Sequence, residues 1–200
     1  MSSRETILSA VRKYQPAGTA HPPDLQGDWI HYPDPEQQFC DVLASVGGQA
    51  HRATNAAEAS QIIAALPCMN DAKQVVCQVP ELQFGNYDLN QVQDPHELRD
   101  IDVAILPGYF GVAENAAVWV DDRTVKHRVV YFLTQHLVLV VPRTDMVHNL
   151  YQAYQRLAFL DRGYGLFISG PSKTADIEQS LVIGAHGPRS MHVILLGTHA

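Results

Sequence analysis

The chain has 200 residues, 46% of them hydrophobic and 18% charged, which suits one sizeable folded domain. With 14 basic against 21 acidic residues the formal charge is -7, and no basic cluster stands out, which argues against a nucleic-acid partner. Met1 to Tyr14 has no signal-peptide core, and the longest apolar region, Val129 to Val141, is broken by Thr134, Gln135 and His136 and is too short to span a bilayer. A cytoplasmic protein is expected, and the three separated cysteines (Cys40, Cys68, Cys77) fit a reducing compartment.

In chain order, Ser3 to Tyr14 reads as a first helix with Ile7, Leu8 and Val11 on one face. Residues 16 to 35 hold five of the twelve prolines and predict a long loop. Asp34-Pro35 then starts a helix that Gly47-Gly48 ends, and Asn55 with Glu58 starts another that runs to Leu66 before Pro67. Gln74 to Val79, Val103 to Leu106, Ala117 to Val120, Leu137 to Val141 and Met191 to Leu196 read as strands. Asp145 to Phe159 reads as one amphipathic helix with Met146, Leu150, Tyr154 and Leu157 along its inner stripe. Such apolar strands interleaved with helices predict a single α/β domain over residues 1–200, with a mostly parallel sheet covered on both faces in a three-layer arrangement.

Three loops hold candidate site residues. The first follows the apolar run Leu166 to Ile168 and supplies Ser169, Gly170, Ser172, Lys173, Thr174 and Asp176. Gly165 and Gly170 have the separation of a P-loop, but Pro171-Ser172 stands where Lys-Ser/Thr must follow, so nucleotide hydrolysis is not expected. Two readings stay open for this loop: an anion site of hydroxyls, Lys173 and free N–H groups, or a plain helix cap. The second loop follows the strand Val103 to Leu106 and brings Gly108, Gly111 and Glu114. Glu114 reads either as a base, nucleophile or hydroxyl anchor, or as a solvated loop acid. The third, Gly184 to Arg189, offers His186 and the anion-binding fork of Arg189. His136 reads as a satisfied core histidine. No metal site is expected, because no histidine pair frames a glutamate at i, i+4 and no close cysteine pair exists. There is no Gly-x-Ser-x-Gly elbow for a serine hydrolase either.

Ser-Gly-Pro-Ser-Lys-Thr-Ala-Asp-Ile-Glu (169 to 178), Leu-Val-Ile-Gly-Ala-His-Gly-Pro (181 to 188) and His-Val-Ile-Leu-Leu (192 to 196) closely resemble the signature of the lactate-utilisation protein C family, the LUD domain. Gly-Val-Ala-Glu (111 to 114) and Gln-His-Leu-Val-Leu-Val-Val-Pro (135 to 142) resemble further segments of that family, so the likeness covers about the last hundred residues. The resemblance implies a fold like that of the CoA-transferase, ribose-5-phosphate isomerase and glucosamine-6-phosphate deaminase (NagB/RpiA) superfamily. It also implies one subunit of a three-part bacterial system that oxidises L-lactate to pyruvate, with iron–sulfur clusters in partner proteins and no cofactor on this chain. The chain departs from the family at Glu114-Asn115-Ala116-Ala117, where a glycine and two hydroxyls are usual. Three roles follow: a subunit that holds a small anionic ligand with Ser172, Lys173, Thr174 and Arg189, a stand-alone acyl-CoA or sugar-phosphate enzyme using Glu114, or a structural subunit.

Overall fold

Helix boundaries follow from their caps. In the computed structural model, which describes residues 2–15, 27–157, 163–174 and 182–197, α1 (Ser3–Lys13) carries a capping box between Ser2 and Glu5. Asp34 accepts from the Gln37 amide to start α2 (Pro35–Ser45), with proline at the first turn. Gly47 at φ 88 ends it, Gly48 N–H bonding back to the Leu43 carbonyl at 2.9 Å. α3 (Ala56–Ala64) is capped by Asn55, and Glu58 reaches back to the Thr54 amide at 2.8 Å. The starts expected from Asp34-Pro35 and Asn55 are thus realised, as is the first helix at Ser3. The Ile7 and Val11 stripe of α1 is exposed, however, and no residue of that helix is buried. Of the proline-rich stretch, residues 16–26 lie outside the described residues.

Strands β1 (Gln49–Ala53), β2 (Val75–Cys77), β3 (Val103–Pro107), β6 (His136–Pro142) and β9 (Ser190–Leu196) form a five-stranded sheet in the order β1-β9-β6-β3-β2, every pair parallel. Ile63, Ala59 and Leu66 from α3 and its end cover one face of this sheet, against Val103, Ile105, Val138 and Ile194. The alternate residues Ala104, Leu106, Leu137, Leu139, Val193 and Leu195 face Phe39 and Leu43 of α2 and a second sheet. The result is the expected α/β architecture with a mostly parallel central sheet covered on both faces.

That second sheet was not anticipated. It contains β4 (Phe110–Val112), β5 (Ala117–Asp121), β7 (Met146–Val147) and β8 (Gly165–Ile168) in the order β7-β4-β5-β8. Ala117 to Val120 was expected in the parallel sheet; it is instead the antiparallel partner of β4 and β8. A strand buried on both faces shows the same unbroken apolar run in either setting, so the pattern does not say which sheet receives it. The apolar run Leu166 to Ile168 forms a half-buried strand of this sheet, paired antiparallel with β5.

The expected helix Asp145–Phe159 is also corrected. Met146 and Val147 pair in parallel with Gly111 and Val112, and the helix α5 starts only at Leu150 (Leu150–Leu157). Asn149 is the cause: its side chain accepts from the Gln152 amide at 2.9 Å, which caps the helix there. Tyr154, assigned to the inner stripe, is exposed, whereas Ala153 is buried against Phe110, Val112 and Ala117. A short helix α4 (Val130–Leu133) leads into β6.

Candidate functional site

The parallel strands end at a cleft of about 530 Å³. Residues at or just past the carboxyl ends of β2, β3, β6 and β9 (Val79, Pro107, Gly108, Pro142 and Leu196) form one side of it, and β4, β5 and α5 supply Phe110, Trp119, Arg156 and Leu157. Open parallel sheets place ligands at this edge, where strand ends splay and backbone groups are least used. The cleft has an aromatic side for a reason of register: Phe110, Trp119 and Phe167 are directly opposed on β4, β5 and β8. Their ring centroids lie 6.4 Å (Phe110–Trp119) and 4.9 Å (Trp119–Phe167) apart. Gly165 leaves the space that the Trp119 ring fills, since a Cβ there would overlap the indole. The buried Trp119 Nε1 finds no acceptor among the described residues.

Two guanidiniums reach the same cleft and are held in the same way. Arg123 donates through Nε to Asp121 at 2.7 Å and stands 4.4 Å over the Tyr109 ring. Arg156 donates to Asp145 at 2.8 Å and stands 4.8 Å over Phe110. Each fork is therefore oriented by a carboxylate on one side and a ring beneath, with N–H groups left over for a ligand. Burial pulls the Asp121 carboxyl upward, but hydrogen bonds from the Arg123 side chain and amide outweigh it and hold the group below its usual range. Glu81 adds a further carboxylate on the rim.

Of the sequence-predicted residues, Gly108 lines this cleft. Its missing side chain has a packing reason as well, because a Cβ would overlap Val118 and Val141 where β3 passes between the sheets. Gly111 is buried against Met146 and Phe39. Glu114 lies at the opposite end of β4 from the cleft. It is exposed, and its Oε2 accepts from the Leu150 amide at the start of α5. Beside it, Ala116 adopts φ 52 at the place where the resembled segment has glycine, and Asn115 folds its side chain back onto the Ala117 amide. Ser169 donates to the Asn115 carbonyl at 2.7 Å, which joins the first predicted loop to the second.

The Ser169–Thr174 and Gly184–Arg189 loops come together, but at the amino edge of the main sheet, away from the cleft. Ser172 N–H bonds to the Pro188 carbonyl, Gly184 N–H to Ser172, Thr174 N–H to Val182, and Arg189 N–H to Gln135 just before β6. Lys173 pairs with Ile183 in an antiparallel bridge. These four amides are thus engaged within the fold. His186 and Arg189 are exposed, and Gly170 turns at φ 73 against Val46. Asp176, with the helix start expected around it, falls outside the described residues. His136 is half-buried and bonded to Ser190 at 2.8 Å. Among the described residues no cluster of three or more His, Cys, Asp or Glu could hold a metal, and no helix is long and apolar enough to cross a membrane.

Sequence reasoning missed Arg123, Arg156 and Asp145. The segment Pro107 to Asn115 was singled out for its place after a strand, yet the charges over its two rings arrive from the turn after β5 and from α5.

A family comparison agrees with the architecture: the LUD domain model matches residues 91–196, more than half of the chain. The chain belongs to the LUD-domain family. Of the strand-end, ring and helix residues first named for the cleft, all but Val79 lie in the matched region. Among its relatives, a lactate utilization protein C of Exiguobacterium is 34% identical over 123 residues, covering 56% of this chain and 52% of that protein. Another of the same name from Shouchella clausii is 36% identical over 110 residues, covering 52% and 47%. The chain spans about half the length of the curated relatives it matches. A crystal structure of a DUF162 family protein from Deinococcus radiodurans shares the fold, with a TM-score of 0.61 at 19% identity over 82% of this chain and 96% of that one.

Proposed function

We propose that this LUD-domain chain is the ligand-binding component of a bacterial lactate-utilisation system, and that it holds an organic acid in the cleft at the carboxyl edge of its parallel sheet. The observation that carries the reading is the pair Arg123 and Arg156, each fixed by an aspartate and a ring and each lining one cleft. The names of its relatives supply the biological setting.

The chain's chemistry in this reading is binding and orientation. The forks of Arg123 and Arg156 take the acid group, and the apolar strand ends exclude water around the rest of the ligand. Cys40, Cys68 and Cys77 are separate free thiols whose pKa is raised by burial, which suits packing better than cluster ligation. Electron transfer in the system then belongs to iron–sulfur partner proteins. Glu114 serves the fold, as an acceptor at the start of α5.

The test is recovery of the tagged full chain from its native host grown on L-lactate, followed by lactate-dependent dye reduction on the eluate. Iron–sulfur partners should co-elute with activity, and Arg156→Ala should lower that activity without changing partner recovery. A partnerless, inactive chain overturns the proposal.

A further inference from the structure

Lactate would fill only a small part of this open cleft. Lactate has six non-hydrogen atoms and fills roughly 100 Å³, the space of three or four waters, whereas the cleft measures about 530 Å³. Val140, Leu157, Leu196 and the Trp119 ring supply the apolar part of the cleft wall, beside the polar groups of Tyr109, Glu81 and Asp145, and a small hydroxy acid held at the guanidiniums would leave that apolar wall uncovered. Left to lactate, that wall would stay wet and contribute nothing to affinity; a ligand with a flat apolar body would dry it.

The charges narrow the head group. Arg123 and Arg156 are each already joined to a carboxylate, Asp121 and Asp145, so the cleft presents leftover N–H donors and not two bare positive charges. A singly charged carboxylate fits such donors. A doubly charged phosphate would meet three carboxylates, Asp121, Asp145 and Glu81, against two guanidiniums, and is disfavoured there more strongly than a singly charged group.

We infer that the ligand of the cleft is an aryl-bearing carboxylic acid, its carboxylate on Arg123 and Arg156 and its ring on the wall of Trp119, Val140, Leu157 and Leu196. This rests on the cleft being the ligand site and specifies what occupies it.

Isothermal titration of the full chain against L-lactate, 3-phenyllactate, phenyl phosphate and neutral 3-phenylpropanol tests it. Phenyllactate should bind at least about tenfold more tightly than lactate, as burial of a phenyl ring implies, and more tightly than phenyl phosphate or phenylpropanol. Arg156→Ala should weaken phenyllactate without narrowing its advantage over lactate, whereas Leu157→Ser should narrow that advantage. Thermal melts of both variants check that each still folds. Lactate binding as tightly as phenyllactate overturns the aryl assignment and leaves the cleft reading standing. Tighter phenyl phosphate overturns the carboxylate assignment. Binding of none of the four overturns both the inference and the cleft itself.

Discussion

Arg156 and Asp145 are joined at 2.8 Å from opposite sides of β7, the aspartate before the strand and the arginine on the helix after it. The pair closes the β7–α5 turn and at the same time aims a guanidinium into the cleft. Because both partners are partly exposed, its worth to stability is small, about 0–1 kcal/mol, and its worth to the site lies in geometry.

Arg156→Lys therefore separates the two roles. The lysine keeps the charge and loses the planar fork over Phe110. Affinity for a cleft-bound acid should fall about tenfold, while the melting temperature should move by less than about 3 °C. Titration calorimetry and a thermal melt read the two quantities independently. An unchanged affinity would remove Arg156 from the site.

Gly165→Ala places a methyl group where the Trp119 indole lies. The ring must leave its position between Phe110 and Phe167, a shift of packing that should cost about 1–3 kcal/mol. Chemical denaturation measures the cost, and Trp119 emission in a Trp29→Phe background should shift with the changed surroundings. A variant as stable as the parent, with unchanged emission, would contradict the packing described.

Glu36, in the first turn of α2, is buried and accepts from Arg52 at 2.5 Å and from Arg143 at 2.6 and 3.1 Å. Burial alone would raise its carboxyl pKa, but hydrogen bonds from Arg143 and Arg52 outweigh that and lower it. Its contribution is present above the ordinary value of 4.5 and fades as the pH falls through the lowered one. Glu36→Gln keeps the shape but removes the charge that faces the Arg143 and Arg52 guanidiniums, so urea unfolding at neutral pH should show a loss of about 1–3 kcal/mol.

Acid sensitivity has a second source. His51, His136 and His192 lie on neighbouring strands β1, β6 and β9, and His51 Nε2 is 3.2 Å from His192 Nδ1. Burial first, then His51 and His136, push the His192 pKa from 6.5 down to about 4. The unfolded chain thus takes up this proton more readily, so stability is flat with respect to this group above pH 6.5 and falls as the pH drops from 6.5 toward 4. The full loss is on the order of 3 kcal/mol. His192→Asn should flatten unfolding free energy over that interval, and an unchanged pH profile would refute the assignment.

Four of the five strands of the parallel sheet were legible because they are mainly apolar runs with Pro or Gly near their ends, and the starts of α2 and α3 were legible because Asp34 and Asn55 announce them. Strands β1, β4 and β7 were not. Gln49 to Ala53 carries His51 and Arg52 in place of an apolar run, and Met146-Val147 is too short to show a period. The site was half legible for the same physical reason. A loop after a strand end can be read from breakers, which found Gly108, but Arg123 and Arg156 meet at the cleft only through pairing of β4, β5 and β7. Ala116 at φ 52 is the reverse case: its alanine conceals a left-handed turn that a glycine would have announced.

The most direct test of the cleft as the working site is the indole region of an amide-correlation NMR spectrum of the full chain titrated with 3-phenyllactate. Its two tryptophans report on different places: Trp119 lines the cleft, and Trp29 stacks on Tyr151 of α5, 4.9 Å between ring centroids, on the helix that Glu114 contacts. The Trp119 indole N–H should shift and the Trp29 one should stay, with the Trp119 response lost in Arg156→Ala. A shift of Trp29 alone, or shifts confined to Gly170–Thr174 and Gly184–Arg189, would contradict the account and return the site to the loops first singled out in the sequence.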